Sequence, residues 1–573
     1  MRSAPPPRFR ASHLLAGVLI AAGVLSVSVP AHADNQSISV NFATGTAAPT
    51  YRASGWIYGM SENGANPPSN YFTDIKFQAM RAGGAQLSGG GWQGGGYDRR
   101  WNATRAQMLR TKALGGTFIL LPHDLWGADG ANIPRYPGDN GNWTDYNNFL
   151  TRVIADVKAT GVPVQWDIWN EPNISIFWNR PQSQYFELWR RTYQRLRAEM
   201  PGTLIVGPSY AGVPTTNTGA WWNQYLDYVK ANNVVPDIFS WHSLPGDPVA
   251  NVAAANTTLG SRGIPHTRPY QINEYGASNE QNPGDGAWYI TRLERAGADG
   301  LRANWASGGN LHNDLGNLLI HNSAGQYQTK GEWWVYRFYA GQTGTVVATT
   351  PSAGYDAYAT KDTGTAKVLI GGGRTTGNIA VSLQGLNGTS GLVVNNQVRV
   401  VVQRIPDNNG GAVTGPVTVQ DQVVSVNGNS ATVNVANSNV NDAYTITLLP
   451  SSTPPPTSPP PTTPPPTSPP PVPGTACSAS YQVVGSWQGG FQAEVAVANT
   501  GSAATRGWTV SWTLPSGQTI NQIWSGSLTT SGSTATVTNV SYNGTLAPGA
   551  SATFGFLGSG SSAPTPSLTC SAT

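Results

Sequence analysis

The sequence predicts a multidomain protein: a (β/α)₈ barrel, an accessory β-sandwich, a proline-rich linker and a C-terminal β-sandwich. Three observations support this fold class. Residues 54–340 alternate short apolar runs with longer amphipathic stretches, which favours strands alternating with helices. Residues 341–450 and 477–570 contain short apolar runs separated by turns, without a helical period. Residues 451–474 consist mainly of Pro, Thr and Ser, and proline prevents a helix or sheet interior there.

The barrel is predicted from eight short apolar runs with helical stretches between them. The predicted strands are Gly55–Gly59, Ala85–Ser88, Thr117–Pro122, Val164–Asn170, Leu204–Gly207, Ile238–His242, Tyr270–Glu274 and Leu301–Trp305. The predicted helices are Asp98–Leu114, Thr144–Thr160, Ser183–Met200, Trp221–Asn232 and Gly286–Ala298. This alternation is typical of a (β/α)₈ barrel, and a doubly wound sheet is the alternative on pattern alone.

The domain boundaries are predicted where the pattern of apolar runs and turns changes along the sequence. The segment Ser37–Phe42 alternates apolar and polar residues, so we expect it to join the accessory sandwich from the N-terminal side. We predict an export signal at 1–33, a barrel domain at 34–340, an accessory sandwich at 341–450, a linker at 451–474 and a C-terminal module at 475–573.

The N-terminus has the pattern of a cleaved export signal. Three arginines in the first ten residues precede an apolar stretch, and Ala31-His32-Ala33 follows as a small-x-small cleavage site. A membrane anchor is the alternative, but the apolar run is short and diluted with Gly and Ser. We therefore expect a secreted, extracellular protein with no membrane association after cleavage.

Composition narrows the class of ligand. Charged residues make up 11% of the chain with a formal net charge of +4, and no cluster of Lys and Arg marks a nucleic-acid surface. Aromatic residues reach 10%, including 20 Trp, and their flat apolar faces with a polar edge suit stacking on sugar rings. We expect most of these aromatic side chains in cores and a minority facing ligand.

No cofactor is expected. The segment Gly89–Gly96 is rich in glycine but lacks the Lys-Ser/Thr of a phosphate loop, and we expect it to form a flexible loop over the cleft. No group of His, Asp and Glu has metal-ligand spacing, so a catalytic metal is not expected either. The two cysteines, Cys477 and Cys570, bracket the C-terminal module and are predicted to form a disulfide.

Two predicted strands end in glutamate, and these residues carry the strongest functional signal. Trp166-Asp167-Ile168-Trp169-Asn170-Glu171-Pro172 delivers Glu171 after an apolar strand, and Tyr270-Gln271-Ile272-Asn273-Glu274 delivers Glu274 in the same way. Active sites of such barrels lie at the C-terminal ends of the strands. Two carboxylates on one rim are what glycosidic hydrolysis requires, one protonated and one ionised. A separation near 5 Å gives retention of configuration and a larger one inversion.

The motif Asn170-Glu171-Pro172 with the later Glu274 resembles clan A glycoside hydrolases, which are retaining (β/α)₈ enzymes. The resemblance implies that Glu171 is the acid/base, that Glu274 is the nucleophile and that Asn170 binds a sugar hydroxyl. With its attached sandwich, the barrel region is most similar to family 39 and its neighbours, which include β-xylosidases.

Further rim residues are candidates for substrate binding. His242 ends the sixth predicted strand, and a purely structural histidine is the alternative. Trp305 ends the eighth and is expected to form the floor of a sugar subsite. His123 and Asp124 follow the third strand and are expected to bind sugar hydroxyls, with a role in loop structure as the alternative. Asp167 lies inside the fourth strand, where we expect a structural bond.

The C-terminal module resembles family 2 carbohydrate-binding modules along its whole length. The matching features are the cysteine pair, Trp487-Gln-Gly-Gly-Phe491, Gly507-Trp508-Thr-Val-Ser-Trp512, Ile523-Trp524, Tyr542-Asn543-Gly544 and Phe554-Gly555-Phe556. The resemblance implies that Trp487, Trp524 and Tyr542 form a flat strip that stacks on crystalline cellulose, with xylan or chitin as alternative ligands. Trp508 and Trp512 are expected in the core.

Together these observations predict a secreted retaining hydrolase of plant cell-wall polysaccharide, with hemicellulose such as xylan favoured and cellulose as the anchor. Two alternatives stay open. The barrel could act on another glycan, such as arabinogalactan side chains, or the protein could be a non-catalytic carbohydrate-binding or adhesion protein. The two intact strand-end glutamates argue against the second alternative.

Overall fold

A computed structural model describes residues 36–130, 133–303, 311–372, 376–452, 476–487, 489–540, 543–560 and 566–573. The chain divides into two compact units at residue 458, and each unit is considered by itself. The predicted export signal and nearly all of the predicted linker lie outside the described residues. In the described part of the chain, no helix is both long enough and apolar enough to cross a membrane.

The larger unit contains a closed barrel of eight parallel strands. Strand β1 (Gln36–Asn41) precedes it and belongs to a different sheet. The barrel strands are β2 (Gly55–Ile57), β3 (Ala79–Ala82), β4 (Thr117–Leu120), β5 (Val164–Asp167), β6 (Leu204–Tyr210), β7 (Ile238–Ser243), β8 (Gln271–Tyr275) and β9 (Asp299–Arg302). Strand β9 pairs with β2 and closes the ring, which confirms the predicted barrel and excludes a doubly wound sheet.

Helices surround the barrel. They are α1 (Asn70–Thr73), α2 (Gly91–Gly94), α3 (Tyr97–Ala113), α4 (Pro122–Trp126), α5 (Thr144–Thr160), α6 (Gln182–Glu199), α7 (Trp221–Ala231), α8 (Pro248–Gly260), α9 (Pro283–Ala296) and α10 (Gly331–Ala340). Helix α5 buries Phe149, Val153 and Val157 at helical spacing, as an amphipathic helix against a barrel requires. Helix α8 was not predicted because its Ala, Thr and Asn give a weak apolar period. Instead, Pro248 and the Asp247 side chain, which accepts from Val249 N, fix its start.

The second barrel strand corrects the sequence prediction. It is Ala79–Ala82, whereas Ala85–Ser88 is a loop in which Gln86 has a φ of 60°, in the left-handed region and not in the extended conformation of regular strand backbone. Arg81 interrupts the apolar character of the true strand, so the pattern concealed it. The Arg81 side chain is nevertheless only 2% exposed, because its charge is compensated inside the barrel.

The accessory sheet has nine strands. They are β1 with β12 (Thr345–Thr350), β13 (Tyr355–Asp362), β14 (Thr365–Gly372), β15 (Gly377–Gln384), β16 (Gln397–Ile405), β17 (Val417–Ser425), β18 (Ser430–Asn437) and β19 (Ala443–Pro450). Strand β1 lies between β12 and β15, so the segment Ser37–Phe42 joins the accessory sheet, as its alternation predicted. A small hairpin, β10 (Leu319–His321) with β11 (Tyr327–Thr329), lies between barrel and sheet in sequence.

The accessory sheet packs on helix α9. Asp356 of the sheet pairs with Arg292 and Arg295 of the helix at 3.1 and 2.5 Å. A Cβ atom at Gly371 would lie 2.1 Å from the backbone nitrogen of Trp288, so only glycine permits this close approach. The sheet keeps its own apolar core, which includes Ile38 and Val381.

The C-terminal unit consists of two four-stranded sheets. The first contains β20 (Cys477–Trp487), β21 (Gly490–Asn499), β23 (Thr519–Trp524) and β26 (Ser551–Ser559); the second contains β22 (Trp508–Thr513), β24 (Ser527–Ser531), β25 (Thr534–Thr538) and β27 (Thr569–Ala572). Cys477 and Cys570 form the predicted disulfide. Trp508 and Trp512 lie in the core, 1% and 3% exposed, as predicted.

Candidate active site

Glu171 and Glu274 both lie at the C-terminal rim of the barrel. Glu274 is in β8, the seventh barrel strand, and Glu171 follows β5, the fourth. The register shifts between Trp241 and His242 in the β7–β8 pairing, and a second shift follows Ile272 in the β8–β9 pairing. Bulges of this kind re-aim side chains beside active sites, and here they flank His242 and Glu274.

The three side chains converge on one small space. His242 Nδ1 lies 2.7 Å from Glu171 Oε1 and 3.4 Å from Glu274 Oε2. One ring nitrogen of His242 and one carboxylate oxygen of each glutamate all lie within 4.8 Å of one another. Such a group could also hold a metal ion, so the absence of a catalytic metal remains a prediction. The structure thus brings together the two predicted carboxylates and the predicted rim histidine.

The backbone at Glu171 is held in an unusual conformation. Its φ is 44°, which costs a non-glycine residue about 1 to 3 kcal/mol when the surroundings enforce it. Glu171 N donates to Ser209 O at 3.0 Å. Two residues later, Asn173 exchanges hydrogen bonds of 2.8 Å with Ala211 through both side-chain atoms. These bonds fix the loop after β5 to the end of β6 and hold the Glu171 carboxyl over the rim.

Arg81, at the end of β3, is a functional residue that the sequence analysis missed. Its Nη1 donates to Glu274 Oε1 at 2.9 Å, its Nε to Asp167 Oδ2 at 2.7 Å and its Nη2 to Asn170 Oδ1 at 2.8 Å. An arginine within a short buried strand was the available signal, because a buried charge requires partners. Arg81 therefore orients the predicted nucleophile and the predicted sugar-binding amide together.

Asp167 makes the structural bonds that were expected of it. Its carboxylate accepts from Ser209 Oγ at 2.7 Å and from Asn273 Nδ2 at 2.9 Å, in addition to Arg81. Asn273 precedes Glu274, and its Nδ2 also donates to Ser209 Oγ at 2.8 Å. A continuous polar network therefore underlies the rim.

Burial sets the electrostatics of the two glutamates. It raises the pKa of Glu171 to about 7, and it likewise raises the pKa of Glu274 to about 7, with the Glu171 charge adding to the effect. Arg81 opposes the rise and contacts Glu274 directly. We therefore assign the ionised form to Glu274 and the proton to Glu171. Burial lowers the pKa of His242 to about 4, so its ring is neutral near pH 7.

His123 and Asp124 lie in α4, immediately after β4, and are only 1% and 3% exposed. His123 Nδ1 is 2.7 Å from Asp124 Oδ1, and Asp124 Oδ2 accepts from the Tyr58 hydroxyl. His123 Nε2 is buried with no partner among the described residues. The pair is thus held by Tyr58. The positive charge of Arg81 lowers the pKa of Glu171 against the dominant, raising effect of burial.

Two other predictions have different outcomes. Trp305 lies outside the described residues, so its predicted role stays a prediction. The glycine-rich segment is not an open loop: it contains α2, and a Cβ at Gly91 would lie 2.6 Å from Gly127 N. Close packing against the end of α4 therefore replaces the expected flexible loop. The Nε1 of Trp92 donates to Asp145 at 2.9 Å and fixes the segment further.

The predicted cellulose-binding residues are described only in part. Trp487 ends β20 and Trp524 ends β23, which are the two edge strands of one sheet. Their side chains and the whole of Tyr542 lie outside the described part of the chain. The flat aromatic strip therefore stays a prediction.

The two units of the chain are similar to different known proteins. Residues 477–573 match the family described as cellulose binding domain. Over 99 residues, 17% of this chain, the sequence is 61% identical to endoglucanase A of Thermobispora bispora, and it spans only 22% of the length of that relative.

Solved structures resemble the larger part of the chain. N2152 from Neocallimastix frontalis is 25% identical with a TM-score of 0.60, covering 73% of this chain and 100% of that structure. A glucosidase from Croceicoccus marinus is 14% identical with a TM-score of 0.50, covering 72% of this chain and 99% of that structure. At this identity the glucosidase shows a shared fold alone. Residues 477–573 are therefore a module of the cellulose-binding domain family, joined to a barrel whose fold a glucosidase shares.

Proposed function

We propose that this chain is a secreted retaining glycoside hydrolase of clan A that cleaves plant cell-wall polysaccharide while its C-terminal module holds it on cellulose. The observation that carries the proposal is the convergence of Glu171, His242 and Glu274, with one donor atom of each within 4.8 Å of the others. Retaining glycosidases need carboxyl groups about 5 to 5.5 Å apart, whereas inverting ones need about 6.5 to 9.5 Å to admit water. The short separation supports retention.

In the first step an oxygen of Glu274 attacks the anomeric carbon. The bond from that carbon to the leaving oxygen breaks, and Glu171 gives its proton to that oxygen. The raised pKa of Glu171 supports its role as an acid near neutral pH. Arg81 and the neutral His242 hold Glu274 in position, which lowers the entropic cost of the attack.

In the second step Glu274 is an ester and no longer carries a charge. The pKa of Glu171 then falls, because its negative neighbour has disappeared, and the ionised Glu171 accepts a proton from water. That water attacks the anomeric carbon and releases the Glu274 carboxylate. Two inversions at the same carbon restore the original configuration.

Substrate contacts come from the remaining rim residues. Asn170 Oδ1 is occupied by Arg81, and no described residue accepts from its Nδ2, which leaves that amide to donate to a sugar hydroxyl. The Nε2 atoms of His123 and His242 are buried and have no partner among the described residues, so a hydroxyl that donates to them would satisfy them. Asp124 holds His123 in place from behind.

The attached module supports a polymeric substrate. Endoglucanase A, whose segment resembles residues 477–573, is by its name an enzyme of glucan cleavage. Anchoring on cellulose keeps an enzyme beside the polymers that accompany cellulose, so we favour hemicellulose such as xylan as the substrate. The signal pattern of residues 1–33 and the disulfide Cys477–Cys570 support export.

The test is a product assay of the purified protein on xylan, mannan, cellulose, β-glucan and arabinogalactan, read by mass spectrometry. The proposal predicts oligosaccharides or monosaccharides from xylan, with activity unchanged by a chelator. If only arabinogalactan gave products, the proposed substrate would change from xylan to arabinogalactan. If no polymer gave products while adsorption to cellulose was intact, the proposed hydrolase activity would be contradicted. That result would favour a non-catalytic binding protein.

A further inference from the structure

Arg81 lies between two carboxylates inside the barrel. Its Nε contacts Asp167 at 2.7 Å and its Nη1 contacts Glu274 at 2.9 Å. The three side chains are 2%, 0% and 3% exposed. Because water hardly screens charges at this depth, the guanidinium acts strongly on both carboxylates.

A buried arginine beside a reacting carboxylate has a cost for catalysis. The ion pair stabilises the ionised carboxylate before attack, but the carboxylate loses its charge when it becomes an ester. Stabilisation that exists only in the ground state raises the barrier, since catalysis depends on stronger interactions in the transition state. A second anion on the same guanidinium reduces that stabilisation.

We propose that Asp167 is a positioning residue whose negative charge neutralises Arg81 and thereby keeps the carboxylate of Glu274 reactive. The inference rests on the proposed function, because it concerns the nucleophile of that reaction. It goes beyond the expected structural bond, because a purely structural role predicts no change in the titration of Glu274. Ser209 and Asn273 donate to Asp167 and satisfy its ionised form inside the barrel.

Few charged or titratable groups face Glu274 and Arg81. Glu274 faces Arg81 from β3, His242 from β7 and Glu171 from the loop after β5. Arg81 additionally feels Asp124 of α4. Because burial lowers the pKa of His242 to about 4, this ring contributes no charge near neutrality. Asp167 is therefore the anion that contacts Arg81 directly besides Glu274.

The decisive variant is Asp167→Asn, which keeps the shape and removes the charge. The pKa of Glu274 is expected to fall by about one pH unit, since Arg81 then acts on Glu274 without direct competition. The measurement is a carbon-13 titration of protein labelled at glutamate carboxyl groups, with the Glu274 signal assigned by its loss in Glu274→Gln. The same variant is assayed on an aryl glycoside with an activated leaving group. The acidic limb of the pH profile of kcat/KM should shift to lower pH by the same amount as the pKa of Glu274, and kcat at pH 7 should fall about tenfold.

Two controls separate charge from packing. Asp167→Glu keeps the charge and moves it by one methylene, so the pKa of Glu274 should stay near that of the parent protein even where turnover falls. Ser209→Ala removes a neutral donor to Asp167 and should likewise leave the acidic limb in place. Should Asp167→Asn fail to fold, the inference still stands or falls on Asp167→Glu, in which a downward movement would overturn it.

An unchanged or raised pKa of Glu274 in folded Asp167→Asn would also overturn the inference. The titration needs no turnover. An inactive parent protein would therefore contradict the proposed function, whereas a fixed Glu274 titration in an active enzyme would contradict only the role of Asp167.

Discussion

The barrel and the C-terminal module bury different kinds of side chain. The barrel interior holds Arg81, Asp167, Glu274 and His242 in one cluster, with Glu171 at its edge. The described core of the C-terminal module consists of aromatic and aliphatic residues, and its buried polar residues are the uncharged Asn499 and Thr505. Burying charge is expensive and is justified where a reaction needs defined protonation states. Binding by stacking needs none, so the two units should respond differently to charge and pH.

The largest expected effect is at Glu274. Glu274→Gln removes the nucleophile and should lower kcat/KM by about 10⁴-fold or more. The measurement is hydrolysis of an activated aryl glycoside, and adsorption to cellulose should be unchanged. Glu199→Gln is the matched control, because it makes the same change at a surface ion pair with Arg195 on α6. Similar losses in both variants would contradict a special role for Glu274.

A smaller effect is expected at Glu171 and depends on the substrate. Glu171→Ala should lower turnover by about 10²- to 10⁴-fold for poor leaving groups and much less for activated ones, with partial rescue by azide. The raised pKa of Glu171 means that the parent protein loses its acid as pH rises through about 7, which gives an alkaline limb. That limb should be absent in Glu171→Ala on the activated substrate. Equal losses on both substrates would refute the acid/base assignment.

The smallest effect is expected in the binding module. Trp524→Ala should weaken adsorption to crystalline cellulose about tenfold by removing one stacking face. Hydrolysis of a small soluble substrate should not change, and adsorption should be equal at pH 5 and pH 8. Thr529→Ala, at an exposed position on the other sheet, is the control. Adsorption that titrates with pH would contradict the comparison between the two units.

The catalytic candidates could be predicted from the sequence because their signal is local. An apolar strand followed by Asn-Glu-Pro, and a second strand ending in Glu274, place both carboxylates on one rim once the barrel is assumed. Trp508 and Trp512 were likewise predicted in the core from their alternation. These features depend on neighbours in sequence and on one general rule of the fold.

Arg81 and the glycine-rich segment could not be predicted in this way. Arg81 is stable inside the barrel only because Asp167 and Glu274, which are distant in sequence, neutralise its charge. The same charge interrupts the apolar run of β3, so this strand was not recognised from the sequence. The glycines of Gly89–Gly96 permit a loop or close packing equally well. Contact with Gly127 decides between them, and that contact is tertiary.

The most direct test of the account is the anomeric configuration of the first product, followed by proton NMR during hydrolysis of a soluble substrate. The close approach of Glu171 and Glu274 predicts that the sugar is released with the configuration of the bond cleaved, before mutarotation. Release of the opposite anomer would show that water attacks directly and would contradict Glu274 as a nucleophile.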